Sequence, residues 1–258
     1  MIGRKVLRLS PIAVVLVAAA CGGGGGTKTV TVVHTVTVTT PTATIPAATR
    51  LRAYFLLNGK VQPVLRTVPQ TTAVAGAALN QLLQGPTPAE KQLGLSTQVS
   101  GESSLGVTGA GGVLTVHGDV PTGAPLAQIV FTLTQFPSAT AVEVGGKRYT
   151  RADLEDFAPA ILVEQPLAFQ SVSSPLRVTG TANTFEATFQ YELTDPEGKI
   201  ISKHFVMATS GSGTRGTFDF TVPFTVSRSG IGELIVYESS AANGSRIHLV
   251  EIPLQLER

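Results

Sequence analysis

His117 and Asp119 stand two residues apart, so on a strand their side chains share a face. A histidine base with an orienting carboxylate is two thirds of a hydrolytic triad, and Ser103 is the serine that would complete it. No GxSxG elbow accompanies them, and Gly118 between them marks the fraying end of a hairpin, so a strand end explains the pair better than catalysis. The run Gly106 to Gly112 has glycines of the kind that cradle phosphate. It lacks the Lys-Ser/Thr of a P-loop, does not fit GxGxxG and lies between strand patterns, so it reads as a hairpin. Asp153, Glu155 and Asp156 gather three carboxylates ahead of Phe157. A calcium loop needs more oxygen donors with a glycine among them, so the cluster reads as a solvated helix start or hinge. Glu186, beside Phe185, reads as a carboxylate that pairs with a nearby cation or satisfies loop amides. His34, His117, His204 and His248 lie far apart with no HExxH spacing, so no metal, no cofactor and no catalytic residue are expected.

The residue whose chemistry is specified is Cys21, the single cysteine of the chain. It follows Val17-Ala18-Ala19-Ala20 and precedes five glycines. Arg4, Lys5 and Arg8 make a basic start, Ile12 to Val17 a short apolar run, and the three alanines a small-residue cleavage site, which is the plan of a secretory leader. The apolar run is far shorter than the ~18 residues a membrane span needs. The stretch resembles a lipobox, with Ala18 where the usual pattern has an aliphatic residue. It implies that Cys21 is the lipidation site, acylated by a fatty chain such as palmitate, and that residues 1–20 leave as a lipoprotein signal peptide. A free thiol beside a glycine run would oxidise outside the cytoplasm, which favours the acylated form.

Removal of that leader also changes the charge. Of 19 basic residues, the loss of Arg4, Lys5 and Arg8 leaves 16 against 17 acidic ones, so the apparent net +2 becomes close to neutral. A near-neutral chain offers no footprint for nucleic acid and no polybasic patch for a lipid surface. One cysteine excludes internal disulfides and cysteine-rich zinc sites. With no tryptophan and four tyrosines, exposed aromatic rings for stacking on sugars are expected to be scarce.

The elements that would position these residues fall into segments. Residues 21–49 are the lipidated cysteine and a Gly/Thr/Val/Pro tether. As a coil its 28 residues beyond Cys21 would reach roughly 30 Å. The alternation Val30, Val32, Val36, Val38 has strand period, and an extended spacer explains it more simply than an added strand. From Arg50, a strand, the turn Asn58-Gly59 and a return strand Val61 to Val68 make a hairpin. Val74, Ala75, Ala78, Leu79, Leu82 and Leu83 predict an amphipathic helix stopped by Gly85 and Pro86. Thr87, Pro88 and Glu90 have the spacing of a capping box that starts a second, short helix. A hairpin about Gly109 to Gly112, a helix through Leu126, Ile129, Val130 and Leu133, and a strand and turn from Ala141 to Tyr149 complete residues 50–150 as an α+β domain, with strand kept open for the Leu126 segment. Residues 151–161 form a linker. Residues 162–258 carry strand patterns at Leu176–Thr181, Ala187–Thr194, Ile200–Ala208, Thr217–Val226, Glu233–Glu238 and Ile247–Leu256, punctuated by turn residues, which predicts an all-β immunoglobulin-like sandwich.

Tyr54-Phe55-Leu56, Asn58-Gly59, the run from Ala77 through Leu82-Leu83-Gln84-Gly85-Pro86-Thr87, Glu90, and Phe131 to Phe136 make residues 50–150 similar to the GerM sporulation domain. Val178-Thr179-Gly180-Thr181-Ala182-Asn183-Thr184-Phe185, with Tyr237 to Ala241 and Asn243-Gly244-Ser245, resembles the immunoglobulin-like domain of bacterial spore germination proteins. The resemblance implies envelope-facing interaction modules without an established enzymatic activity. The expectation is a lipid-anchored, extracytoplasmic binding or scaffold protein of the cell envelope, linked to sporulation, germination or wall remodelling. Its expected partners are the membrane through the lipid, and an envelope protein or peptidoglycan.

Overall fold

Asn58 and Gly59, at φ 52° and 77°, close a two-residue turn between β1 (Ala48–Leu57) and β2 (Lys60–Pro69), ten residues each and in register throughout. The positive φ at both turn positions gives the twist that hairpin strands need. The computed structural model describes residues 47–101 and 104–258. Cys21, its leader, the valine alternation and Ser103 lie outside those residues.

The apolar stripe folds as predicted into α1 (Val74–Gln84), ending at Gly85. At α2 (Pro88–Gln92) the Thr87 hydroxyl accepts from the Glu90 amide while the Glu90 carboxylate accepts from the Thr87 amide. The same carboxylate forks onto Arg66 of β2 with two contacts of 2.7 Å, so the cap also fixes α2 against the hairpin. Strands β3 (Gly106–Ala110) and β4 (Val113–His117) form the next hairpin. Its turn is Gly111-Gly112 alone; Gly109 and Ala110 belong to the ladder. Strands β5 (Ala141–Val144) and β6 (Lys147–Tyr149) follow, β4 and β5 running parallel in a mixed four-stranded sheet.

Between hairpin and sheet lies α3 (Ala124–Leu133), a helix and not the alternative strand. All ten of its residues are buried, polar Gln128 and Thr132 included. The reason is the free edge of β1. The Gln128 amide donates to the Tyr54 carbonyl at 3.0 Å, and the Thr132 hydroxyl accepts from the Tyr54 amide at 3.0 Å. Gln135 then bonds both backbone groups of Arg52, at 2.7 and 2.6 Å. Positions 128, 132 and 135 are one helical face, so three side chains do for β1 what a neighbouring strand would do. Thr132→Val keeps the shape and strands the Tyr54 amide. We expect a loss of ~1–3 kcal/mol, read by denaturant unfolding; a change under 0.5 kcal/mol would show that the bond is dispensable.

Beyond a 3₁₀ turn (Ala152–Phe157), the second half is two sheets. One holds β7 (Ile161–Gln165), β9 (Leu176–Ala182) and β12 (Gly216–Val222), in the order β12-β9-β7. The other orders as β11-β10-β13-β14-β8, from β8 (Ser171–Val172), β10 (Thr188–Thr194), β11 (Ile200–Met207), β13 (Gly230–Ser239) and β14 (Arg246–Leu256). Six strands agree with the sequence reading to within a few residues; β12 stops at Val222, ahead of Pro223. The sheets enclose a core that includes Phe189, Leu193, Phe218 and Leu234. The protein is thus an α+β domain followed by an immunoglobulin-like sandwich.

Strand β7 belongs to both cores. Ile161, Leu162 and Val163 are each at most 3% exposed. Leu162 packs with Tyr54, Phe131 and the first core, while its neighbours Ile161 and Val163 pack in the sandwich. Alternate side chains of one strand therefore serve two domains.

Candidate functional site

The predicted catalytic pair does not assemble. His117 ends β4, and its Nε2 lies 2.9 Å from the Thr108 hydroxyl across the β3–β4 ladder. Asp119 is exposed, and no hydrogen bond or ion pair joins it to His117 among the described residues. The acidic segment is the helix start of the sequence reading, the opening of the 3₁₀ turn, with Asp153 and Asp156 exposed. Asp153 accepts from the Thr150 amide and hydroxyl, both at 2.7 Å, and these bonds hold its carboxyl below the usual range. Asp156 offers its carbonyl to the Lys60 ammonium at 2.6 Å. Glu155 turns the other way and is half-buried against Arg215. The Asp153 and Glu155 carboxylates turn to different partners, and no group of acidic, histidine or cysteine side chains suited to a metal occurs among the described residues. Glu186 pairs with no cation among those residues; its backbone, at φ 52°, donates to the Ser212 hydroxyl.

What the fold does assemble lies at the domain junction. Strand period puts Arg50, Arg52 and Tyr54 on one face of β1. The Tyr54 hydroxyl donates to the Glu164 carboxylate of β7. The Arg151 guanidinium donates to the same carboxylate oxygen at 2.8 Å, to the Phe131 carbonyl at 3.2 Å and to the Thr134 hydroxyl at 2.8 Å, and it lies over the Phe131 ring. Arg52 Nη1 and Nη2 reach the carbonyls of Glu164 and Gln135. Burial alone would raise the Glu164 carboxyl, but Arg151, the Tyr54 hydroxyl and Arg52 outweigh it and hold the pKa below the usual value. Burial and the Glu164 charge push the Tyr54 phenol far above its ordinary value.

A second latch lies nearby. Arg215 Nε meets both Glu155 oxygens at 3.0 and 2.8 Å, Nη2 reaches the Pro159 carbonyl at 2.7 Å, and Nη1 reaches Thr181. Asn183 donates to Glu155 at 3.1 Å and accepts from the Gly213 amide at 2.9 Å. The clasp and the latch tie β1, the connecting segment, β7 and β9 into one body.

The outward face of the five-stranded sheet carries another polar group. Glu192 is 1% exposed, and one of its oxygens receives Lys203 at 2.8 Å, Arg246 at 2.7 Å and the Tyr237 hydroxyl at 3.0 Å. Phe205 and Met207 stand out from β11 and Leu249 from β14. With Phe169 and Phe185, three phenylalanine rings are about 60% exposed, so exposed aromatics are more plentiful than the lack of tryptophan suggested. Composition counts rings and cannot say which ones find a core; Phe205 sits opposite Gln190 on the outward face of an edge strand.

A buried helix between a hairpin and a mixed sheet, packed through β7 against a two-sheet sandwich, defines a two-module protein joined by buried contacts at its junction. The modules have identified relatives. Residues 52–150 match the family described as sporulation and spore germination, and residues 160–245 match the immunoglobulin-like domain of bacterial spore germination. The chain is therefore a GerM-like domain followed by the germination-type immunoglobulin-like domain. Among solved structures it is similar to the tandem GerMN domains of the sporulation protein GerM from Bacillus subtilis, at 25% identity, covering 46% of each chain with a TM-score of 0.35. The chain thus spans under half the length of that structure. No curated protein matches. These sporulation and germination domains are not those of known enzyme families, and they suggest a non-catalytic accessory protein.

Proposed function

We propose that the protein is a lipid-anchored, extracytoplasmic, non-enzymatic binding or scaffold protein of the bacterial cell envelope. The observation that carries this reading is the junction. Two germination-type modules are clamped through Tyr54, Arg151 and Glu164, and the candidate catalytic groups outside it stay apart. Modules joined by buried ion pairs and a shared strand are preorganised relative to one another, which suits holding partners more than turning over a substrate. The Cys21 stretch supplies the anchor and the tether supplies the reach.

Cys21→Ser is expected to move the protein from the membrane fraction to the soluble fraction while leaving its unfolding unchanged. Retention of the variant in washed membranes would overturn the lipid anchor. Crosslinking in intact membranes is expected to recover a reproducible protein partner. A second reading, an accessory module that binds peptidoglycan glycan, draws support from the exposed rings of Phe169, Phe185 and Phe205. It requires co-sedimentation with purified sacculi at low salt, and absence of co-sedimentation rejects it.

A further inference from the structure

Beside the clasp, where β1 and the end of α3 meet the β7–β8 segment, lies an open groove of about 280 Å³. We infer that it binds the carboxylate end of a short peptide.

Three features of its lining carry the assignment. The first is unspent positive charge. Arg52 spends Nη1 and Nη2 on backbone carbonyls, yet its Nε is buried with no acceptor. A buried donor without a partner is costly, and the cost is recovered when a ligand supplies the acceptor. Arg50, two residues along the same strand face, stands exposed on the rim and makes no ion pair among the described residues. No acidic side chain lines the groove, and Glu164, the carboxylate next to Gln165, is held by Tyr54 and Arg151. Arg52 already lends its charge to Glu164, so the guanidinium without a matching anion is that of Arg50; with the orphaned Arg52 donor beside it, it selects a planar oxyanion, for which its forked donors are suited.

The second feature is an apolar wall of Leu65, Phe136 and Leu167, which suits a small aliphatic side chain. The third is the amide of Gln165, exposed at the mouth and without a protein partner among the described residues, which can pair with a peptide group. Carboxylate, apolar side chain and peptide amide occur together at the end of a peptide. The volume lies at the lower limit of the ~300–1,000 Å³ of small-ligand sites, room for the last residue or two. The inference stands apart from the anchor, since such a ligand would bind in solution whether or not Cys21 carries lipid.

The test is a titration of the isotope-labelled full chain with N-acetyl-Ala-Ala, followed by amide chemical shifts. Its controls are the same dipeptide as C-terminal amide and the variants Arg50→Gln and Arg177→Gln. Arg52 is left intact because it also holds the junction. Expected are saturable shifts at Leu51, Phe136 and Leu167, binding of the acid at least about tenfold tighter than the amide, and a loss of about fivefold or more in Arg50→Gln, with none in Arg177→Gln. The L,L and D,D probes are run separately: preference for L,L points to protein C-termini, preference for D,D to wall peptides, and either supports the site. Equal binding of acid and amide, shifts outside the groove, or unchanged affinity in Arg50→Gln would overturn it.

Discussion

Glu164→Ala is expected to destabilise the protein by about 3–5 kcal/mol and to lower its Tm by on the order of 10 °C. The size follows from what is left behind. The Arg151 guanidinium is 23% exposed and keeps its charge, but loses the carboxylate 2.8 Å away. The fully buried Tyr54 hydroxyl loses its acceptor at the same time. Removing one member of a buried pair costs more than removing both, because an uncompensated charge stays in a poor dielectric. The double variant Glu164→Ala/Arg151→Met should therefore be no less stable than Glu164→Ala alone. Acidity acts on the same contact. The folded pKa of Glu164 lies below its unfolded value, so its contribution is complete above the ordinary carboxylate range and is lost as the pH falls through that range and on to the folded pKa. The folded pKa of Tyr54 is raised, so its contribution is complete below the ordinary phenol value of 10.0 and is lost as the pH rises beyond it. Denaturant unfolding across pH should show a weaker acid limb in Glu164→Ala and a weaker alkaline limb in Tyr54→Phe. A loss under 1 kcal/mol for Glu164→Ala would mean that apolar packing about Leu162, not the clasp, joins the domains.

The clasp also marks the boundary of what a sequence can tell. Turns and caps are local, and the chemistry of Asn58-Gly59 and of Thr87 with Glu90 is complete within a few residues, so both were legible. The strands of the sandwich were legible for a related reason, since inward residues such as Phe189, Tyr191 and Leu193 alternate with outward ones. Helix α3 was readable as a helix, but not as one buried all round. Gln128 and Thr132 look like its wet face until β1 is placed beside them. Strand β7 lacks alternation because both its faces are buried, so Ile161–Gln165 carried no period to detect. The two residues of β8 join the sheet through a parallel pairing with β14, which no short pattern announces. Partners far apart in sequence were the least visible of all. Glu164 meets Tyr54 across 110 residues, and nothing near either residue names the other. The alternation of Arg50, Arg52 and Tyr54 along one strand was the available signal that polar groups would gather on that face. The lipidation reading, by contrast, depends on a covalent motif rather than on packing, and fractionation of Cys21→Ser decides it.

Gly180→Val should be the most damaging single change in the sandwich, at ~3 kcal/mol or more. Gly180 belongs to the Val178-to-Phe185 segment through which the second domain was recognisable, and its role there is one of space. It lies on β9, between β7 and β12, opposite Val163 on one side and Phe218 on the other. A Cβ at this position would stand 2.0 Å from the Leu162 carbonyl oxygen and 2.6 Å from the Phe218 ring. The ring belongs to a side chain and can move, at the cost of its contact with Phe189 at 4.9 Å. The carbonyl belongs to β7 and cannot move without the strand. Phe218→Ala added to Gly180→Val is therefore expected not to restore stability, since the backbone contact remains; recovery in thermal unfolding would show that the ring was the true obstacle. Displacing β7 also moves Leu162, which packs in the first core, and Glu164, which holds Arg151. A cavity or clash confined to the sandwich would leave the other domain intact. A change at Gly180 should instead lower the midpoint of both domains together, because the strand it pushes against is the one they share.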